Sequence, residues 1–123
     1  MRKLIFLTIL SSLFFTNSFA YQFALNSKDK NLINNSKQKS AILKRLEKYS
    51  EFKNETKNLD INKKLGKVNF FINKTLPEFD TQSVGIDDYW MTPKEIFIKG
   101  FGDCEDYAIA KYFTLLELVV KKE

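Results

Sequence analysis

The chain has 123 residues, a formal net charge of +5 at neutral pH, a single cysteine and no histidine. Its basic residues are nearly all lysines scattered over predicted helical faces, and arginine occurs only twice. This composition argues against a nucleic-acid-binding protein, which would concentrate arginine and lysine on one surface. A lone cysteine also excludes an internal disulfide, so the thiol is free, intermolecular or catalytic.

The first 20 residues have the pattern of a secretory signal peptide. Arg2 and Lys3 form a basic start, and residues 4–15 form an apolar stretch that is short for a membrane span. Small residues at Ser18 and Ala20 match the two positions that a signal peptidase reads. We therefore expect cleavage after Ala20 and a periplasmic mature protein that does not span the membrane.

The remaining 103 residues are enough for one small domain with a modest core. Residues 21–36 are polar and asparagine-rich and are expected to be a loose lead-in, whereas residues 37–123 are expected to hold the domain. Helical spacing of apolar residues and capping residues predict four helices. These run over about 37–52, 60–75 and 93–100, and from 103 towards the C-terminus. The acidic stretch 78–89 is expected to be irregular.

The segment around the cysteine is the most informative part of the chain. Two glycines, Gly100 and Gly102, precede Cys104, and a long apolar helix follows it. Asp103 is placed to cap that helix, and Asp106 to complete a capping box. Cys104 would then be the first helical residue, where unpaired backbone N–H groups favour a thiolate. Alternatively, Cys104 is a small buried residue and the acids only cap the helix.

Two motifs in this order resemble a known family. They are Asp88-Tyr89-Trp90-Met91-Thr92-Pro93-Lys94-Glu95 and Gly102-Asp103-Cys104-Glu105-Asp106-Tyr107-Ala108, with Val68-Asn69 before them and Lys111-Tyr112 after them. Over roughly residues 60–118 they resemble the bacterial transglutaminase-like cysteine proteinases, the LapG-type periplasmic proteases. The resemblance implies an α+β, papain-like or transglutaminase-like fold. In that fold the catalytic cysteine begins a central helix, and a sheet carries a histidine and an aspartate.

The resemblance also implies roles for particular residues and partners. Cys104 would be the nucleophile, and Asp103 and Glu105 would bind Ca²⁺ beside it. Acids so close to the thiol disfavour a thiolate by like-charge repulsion, which a bound Ca²⁺ would relieve. Asp87 and Asp88 are further oxygen donors nearby in sequence, although these acids could also be surface caps that bind no metal. The implied substrate is the N-terminal region of a large surface adhesin, and an inner-membrane receptor is a possible regulator.

The chain departs from the family in lacking the rest of the catalytic machinery. It contains no histidine, and the family's histidine and aspartate would come after Glu123. The last helix is apolar on nearly all sides, which is typical of a central helix, yet the earlier helices cannot obviously cover it. We therefore expect the mainly α-helical N-terminal half of a truncated protease, inactive alone. The alternatives are a non-catalytic exported binding module and a remnant of a transglutaminase-like acyltransferase.

Overall fold

The structure, a computed structural model, describes residues 23–76 and 90–119. Within these two ranges the chain forms five α-helices and no strand. We number them α1 (Ser27–Asn34), α2 (Lys39–Thr56), α3 (Ile61–Thr75), α4 (Pro93–Lys99) and α5 (Cys104–Val119). None of the described helices is long and apolar enough to cross a membrane. The expectations for the signal peptide, residues 1–20, and for the irregular stretch, residues 78–89, fall outside the described ranges.

The starts of α3 and α4 confirm the capping signals in the sequence. The Asp60 side chain caps α3 by accepting a hydrogen bond of 3.1 Å from the backbone N–H of Lys63. At α4, Thr92 and Glu95 form the expected capping box, in which each side chain accepts from the backbone N–H of the other residue. Pro93 follows as the first helical residue, where its missing N–H has no cost. These two helices therefore begin where local chemistry places them.

The lead-in, residues 21–36, is not loose as expected, because α1 lies within it. Asn26 and Asp29 form a capping box at its start, with both hydrogen bonds at 2.9 Å. Ile33 is buried, and the Asp29 carboxylate pairs with the ammonium of Lys94 at 3.0 Å. Because that ion pair joins α1 to the start of α4, the segment is part of the packed structure.

α2 is also longer than expected, and its polar face is not fully solvated. The sequence predicts a helix over about 37–52, whereas α2 continues to Thr56, which is buried. Lys53 turns inward, pairs with Glu117 of α5 at 2.8 Å and lies over the ring of Tyr49 at 4.3 Å. Lysine can adopt this position because its apolar stem packs while its charge meets a carboxylate.

The core lies where α2, α3, α4 and α5 meet. Tyr49 stacks on Phe97 with ring centroids 4.0 Å apart. The Thr114 hydroxyl donates to the carbonyl of Ala110 at 2.7 Å, so it accepts from the Tyr49 hydroxyl at 2.8 Å. The buried core residues are Tyr49, Val68, Ile72, Leu76, Met91, Ile96, Phe97, Tyr107, Ala110 and Leu118. α5 thus contributes one face to this core, and it begins at Cys104, the candidate nucleophile.

The other face of α5 is not covered by the described residues. Tyr112 is 59% exposed and Val119 is 48% exposed, and Trp90, which precedes α4, is 68% exposed. Ile109 and Phe113 line a shallow groove of about 360 Å³ together with Trp90. The apolar character all round α5 therefore corresponds to one buried face and one open face. This pattern agrees with the expectation that further structure is needed to cover the helix.

Candidate functional site

A fixed turn between α4 and α5 leads into the cysteine. Gly100 ends α4 in the left-handed region, with φ of 84°, and its N–H donates to the carbonyl of Ile96. The Arg45 guanidinium reaches across from α2 and donates to the carbonyl oxygens of Phe97, at 2.6 Å, and Ile98, at 3.3 Å. A cation at these carbonyls complements the negative end of the helix dipole. The left-handed conformation favours glycine here, and a Cβ at Gly100 would also displace the Arg45 guanidinium from its place beside the turn.

The second glycine of the turn makes room for a buried carboxylate. A Cβ at Gly102 would lie 2.8 Å from the Cβ of Asp106 and 3.1 Å from its Oδ2. Asp106 is 2% exposed, although aspartate is rarely buried unless it is paired. Its two oxygens accept hydrogen bonds from two different backbone N–H groups: Oδ1 from Met91 at 2.7 Å and Oδ2 from Asp103 at 3.1 Å. Asp106 therefore ties the segment before α4 to the start of α5.

Asp103 completes the capping box that the sequence predicts. Its Oδ1 accepts from the backbone N–H of Asp106 at 3.0 Å, while Asp106 accepts from the N–H of Asp103. The bond from the Asp106 N–H holds the pKa of the Asp103 carboxyl below its usual value, against the opposing effect of burial. Asp103 is therefore poised to remain a carboxylate at the start of the cysteine helix.

Cys104 is the first residue of α5, and its side chain is exposed. The alternative interpretation, a small buried apolar residue, is therefore wrong. As the first helical residue, Cys104 belongs to the turn whose backbone N–H groups lack partners within the helix. An exposed thiol on a rigid, capped helix end can be reached by a substrate, which is the first requirement of a cysteine nucleophile.

The expected calcium ligands lie on either side of this cysteine. Glu105 is exposed and Asp103 is partly exposed, so carboxylate oxygens, the ligands that Ca²⁺ prefers, face the surface here. Within residues 23–76 and 90–119, no group of three or more acidic, cysteine or histidine side chains is arranged to hold a metal ion. Because Ca²⁺ takes six to eight oxygens, these two residues fit part of a site. The other candidate donors, Asp87 and Asp88, lie outside the described residues.

Two features of the site were not predicted from the sequence. Arg45 was given no role from the sequence, although burial of its guanidinium lowers its pKa and its partners lie more than 50 residues away. The sequence feature that could have drawn attention to Arg45 is that it is the one arginine after residue 20, where all other basic residues are lysines. The bond from the Met91 N–H to Asp106 was also missed, since it joins two segments whose packing the sequence does not show.

Comparison with known proteins identifies a family and its fold. The family model described as bacterial transglutaminase-like cysteine proteinase BTLCP matches residues 27–123. Among solved structures, Legionella pneumophila LapG is 34% identical with a TM-score of 0.59, over 76% of this chain and 51% of that chain. Its EGTA-treated and calcium-bound forms are each 35% identical with TM-scores of 0.58, over 76% of this chain and 50% and 51% of theirs.

These matches confirm the resemblance and the expected fold class. The described helices correspond to part of the transglutaminase-like fold of LapG, and the family match starts at the first residue of α1. The chain spans about half the length of the solved structures that it matches. A comparison with curated proteins found no significant match.

Proposed function

The chain belongs to the bacterial transglutaminase-like cysteine proteinases, and on this basis we propose that it carries the nucleophile of a calcium-dependent periplasmic cysteine protease. The observation that supports this most strongly is the placement of Cys104. It is exposed at the first residue of α5, next to a capping box formed by Asp103 and Asp106. In the proposed reaction the Cys104 Sγ attacks the carbonyl carbon of a peptide bond, the amine leaves, and water then releases the acyl group.

The residues around Cys104 hold the nucleophile in place. Arg45 and Gly100 fix the end of α4, and Asp106 fixes the start of α5 to the segment at Met91. Such rigid support matters because a misplaced nucleophile loses much of the rate gained from proximity. In the proposal, the turn supports catalysis by positioning the thiol.

A base is also required, and this sequence does not supply an ordinary one. A cysteine protease needs a group that takes the thiol proton and returns it to the leaving amine, most often a histidine. The 123 residues contain no histidine. In the proposal, the histidine and aspartate come from another segment that packs on the open face of α5. The 123-residue chain alone is then predicted to be inactive.

The proposed substrate is the N-terminal region of a large surface adhesin, whose cleavage releases cells from a biofilm. An inner-membrane receptor that controls access to the protease is a proposed partner, and the signal peptide would deliver the protein to the periplasm. These finer assignments are supported by the family membership and by the pattern of residues 1–20. Incubation of the chain with calcium and an adhesin fragment tests the predicted inactivity. Cleavage that a Cys104→Ala variant lacks would show that the chain needs no further segment.

Calcium is proposed to bind at Asp103 and Glu105, since a calcium-bound form of LapG is among the similar structures. When bound, Ca²⁺ would neutralise acidic charge beside the thiol. Because a ligand that binds only the folded state stabilises it, calcium should raise the melting temperature relative to chelator. Asp103→Asn and Glu105→Gln should each reduce this rise. Asparagine still caps a helix, so the first variant removes charge while keeping the cap.

The matched control for the calcium experiment is Glu55→Gln, which neutralises an exposed carboxylate on α2. It should leave the calcium response intact. An equal response to calcium in the parent chain, Asp103→Asn and Glu105→Gln would show that calcium does not bind at these two residues.

A further inference from the structure

A second surface lies between α2 and α3 and includes no residue of α5. It is a groove of about 600 Å³. Lys48 and Phe52 of α2 form one side, and six residues of α3 form the other. The α3 residues fall in two rows at a spacing of four, so that they share one side of the helix. These rows are Gly66, Phe70 and Lys74, and Lys67, Phe71 and Thr75.

The floor of this groove is aromatic. Phe52 and Phe71 stack across the two helices with ring centroids 4.1 Å apart and planes inclined by 6°. Phe70, which precedes Phe71 on α3, is 66% exposed, a large fraction for a phenylalanine. The Phe52 and Phe71 rings pack against the core, whereas Phe70 presents apolar surface that the described residues leave uncovered.

The rim of the groove is positively charged. Lys48, Lys67 and Lys74 line it, and no acidic side chain of the described residues is among those that do. The Lys74 ammonium lies 5.4 Å from the centroid of the Phe70 ring, where it can make a cation–π interaction. The part of the chain that contains α2 and α3 is also positively charged, because residues 21–76 contain 13 basic and five acidic side chains. An occupant that complements this groove carries negative charge around an apolar group.

Gly66 lines the groove without a side chain. It lies inside α3, where glycine is a poor helix former. A Cβ built at Gly66 would meet no described side chain within 4 Å, so the packing of the described residues does not require glycine there. A larger side chain at this position would project into the groove beside Phe70. Glycine at this position therefore leaves space beside the groove that a larger side chain would occupy.

We propose that this groove is a docking site for an acidic segment of a protein partner, with an aromatic side chain inserted against Phe52, Phe70 and Phe71 and carboxylates paired with the rim lysines. The groove is concave, and a concave surface can take an inserted side chain. A flat membrane would instead be bound by a convex apolar face. Aromatic anchors in a pocket with a charged rim are typical of protein interfaces. The site goes beyond the proposed protease function, because it lies on other helices and involves neither Cys104 nor the acids beside it.

The test uses the full chain and a synthetic peptide that has four acidic residues around one tryptophan, with binding measured by calorimetry. Two control peptides replace the acids by their amides or the tryptophan by alanine. We expect the acidic tryptophan peptide to bind at least tenfold more tightly than either control. We also expect its affinity to fall as salt is raised, because exposed charge pairs are screened.

Variants locate the binding. Gly66→Met and the double variant Lys67→Glu/Lys74→Glu should each weaken binding at least tenfold. Gly66→Ala, which adds only a methyl group, and Lys30→Glu, an exposed charge reversal on α1, should change it less than twofold. Both glycine variants should melt no lower than the parent chain, because each replaces glycine in a helix. That control separates a filled groove from an unfolded protein.

Two outcomes overturn the proposal. One is an acidic tryptophan peptide that binds no better than its controls, or that binds all the variants alike. The other is binding to vesicles of anionic phospholipid that shows the same dependence on Gly66, Lys67 and Lys74, which would make the groove a membrane contact.

Discussion

Substitution of the buried carboxylate Asp106 by asparagine tests whether this residue holds together the turn between α4 and α5. Asp106 is 2% exposed and accepts hydrogen bonds from the N–H groups of Met91 and Asp103, one on each oxygen. Asparagine keeps one acceptor oxygen and replaces the other by an amide that faces a backbone donor. A hydrogen bond to a charged group contributes about 1.5–3 kcal/mol, so Asp106→Asn should lower the free energy of unfolding by about 2–3 kcal/mol.

The assay is urea unfolding followed by circular dichroism, with Glu105→Gln as the matched control. The control makes the same chemical change one residue earlier in α5, where the side chain is exposed. Surface substitutions of this kind typically change stability by less than about 0.5 kcal/mol. The positional role assigned to Asp106 would be refuted if both variants lost the same small amount of stability, or if Asp106→Asn lost none.

Two further predictions concern the turn and the lead-in helix. Gly100→Ala should lower the free energy of unfolding by at least about 1–2 kcal/mol in urea melts, because alanine disfavours the left-handed region and its Cβ would displace Arg45; a neutral effect would contradict this. The pKa of Asp29 is lowered in the folded protein by its hydrogen bond from the Asn26 N–H and by Lys94. The Asp29 carboxylate therefore stabilises the folded state above its ordinary pKa of 3.8, and this stabilisation is lost as the pH falls through the lower pKa of the folded state. Asp29→Asn should therefore be less stable than the parent at pH 7 but not at pH 2, and a difference that does not depend on pH would show that the carboxylate charge is not the cause.

Local chemistry explains which elements were predictable. The start of α4 depends on Thr92, Pro93 and Glu95, which are close in sequence and satisfy one another's backbone groups, so the pattern is visible without the fold. The same holds for Asp103 at α5. The Asn26–Asp29 box at α1 is an equally local signal, although it lies in an asparagine-rich stretch whose composition predicts a loose segment.

Contacts between distant segments explain what could not be predicted. Arg45 stands on a lysine-rich helix, and nothing near it in sequence reveals that its guanidinium meets the carbonyls at the end of α4. The burial of Asp106 likewise depends on Met91, fifteen residues earlier. The order of the motifs around Cys104 predicts a nucleophile, whereas its exposure follows from how α5 packs on α3 and α4.

The central claim is that Cys104 is a protease nucleophile whose histidine and aspartate come from another segment. The most direct test joins this chain to the portion of Legionella pneumophila LapG that it does not cover, and incubates the fusion with calcium and an adhesin fragment. We predict cleavage, with mass spectrometry showing that water is added at the new C-terminus, and no cleavage by the Cys104→Ala fusion or by the chain alone. Cleavage that survives Cys104→Ala would contradict the assignment of the nucleophile. A folded fusion that leaves the adhesin intact would contradict the proposed activity.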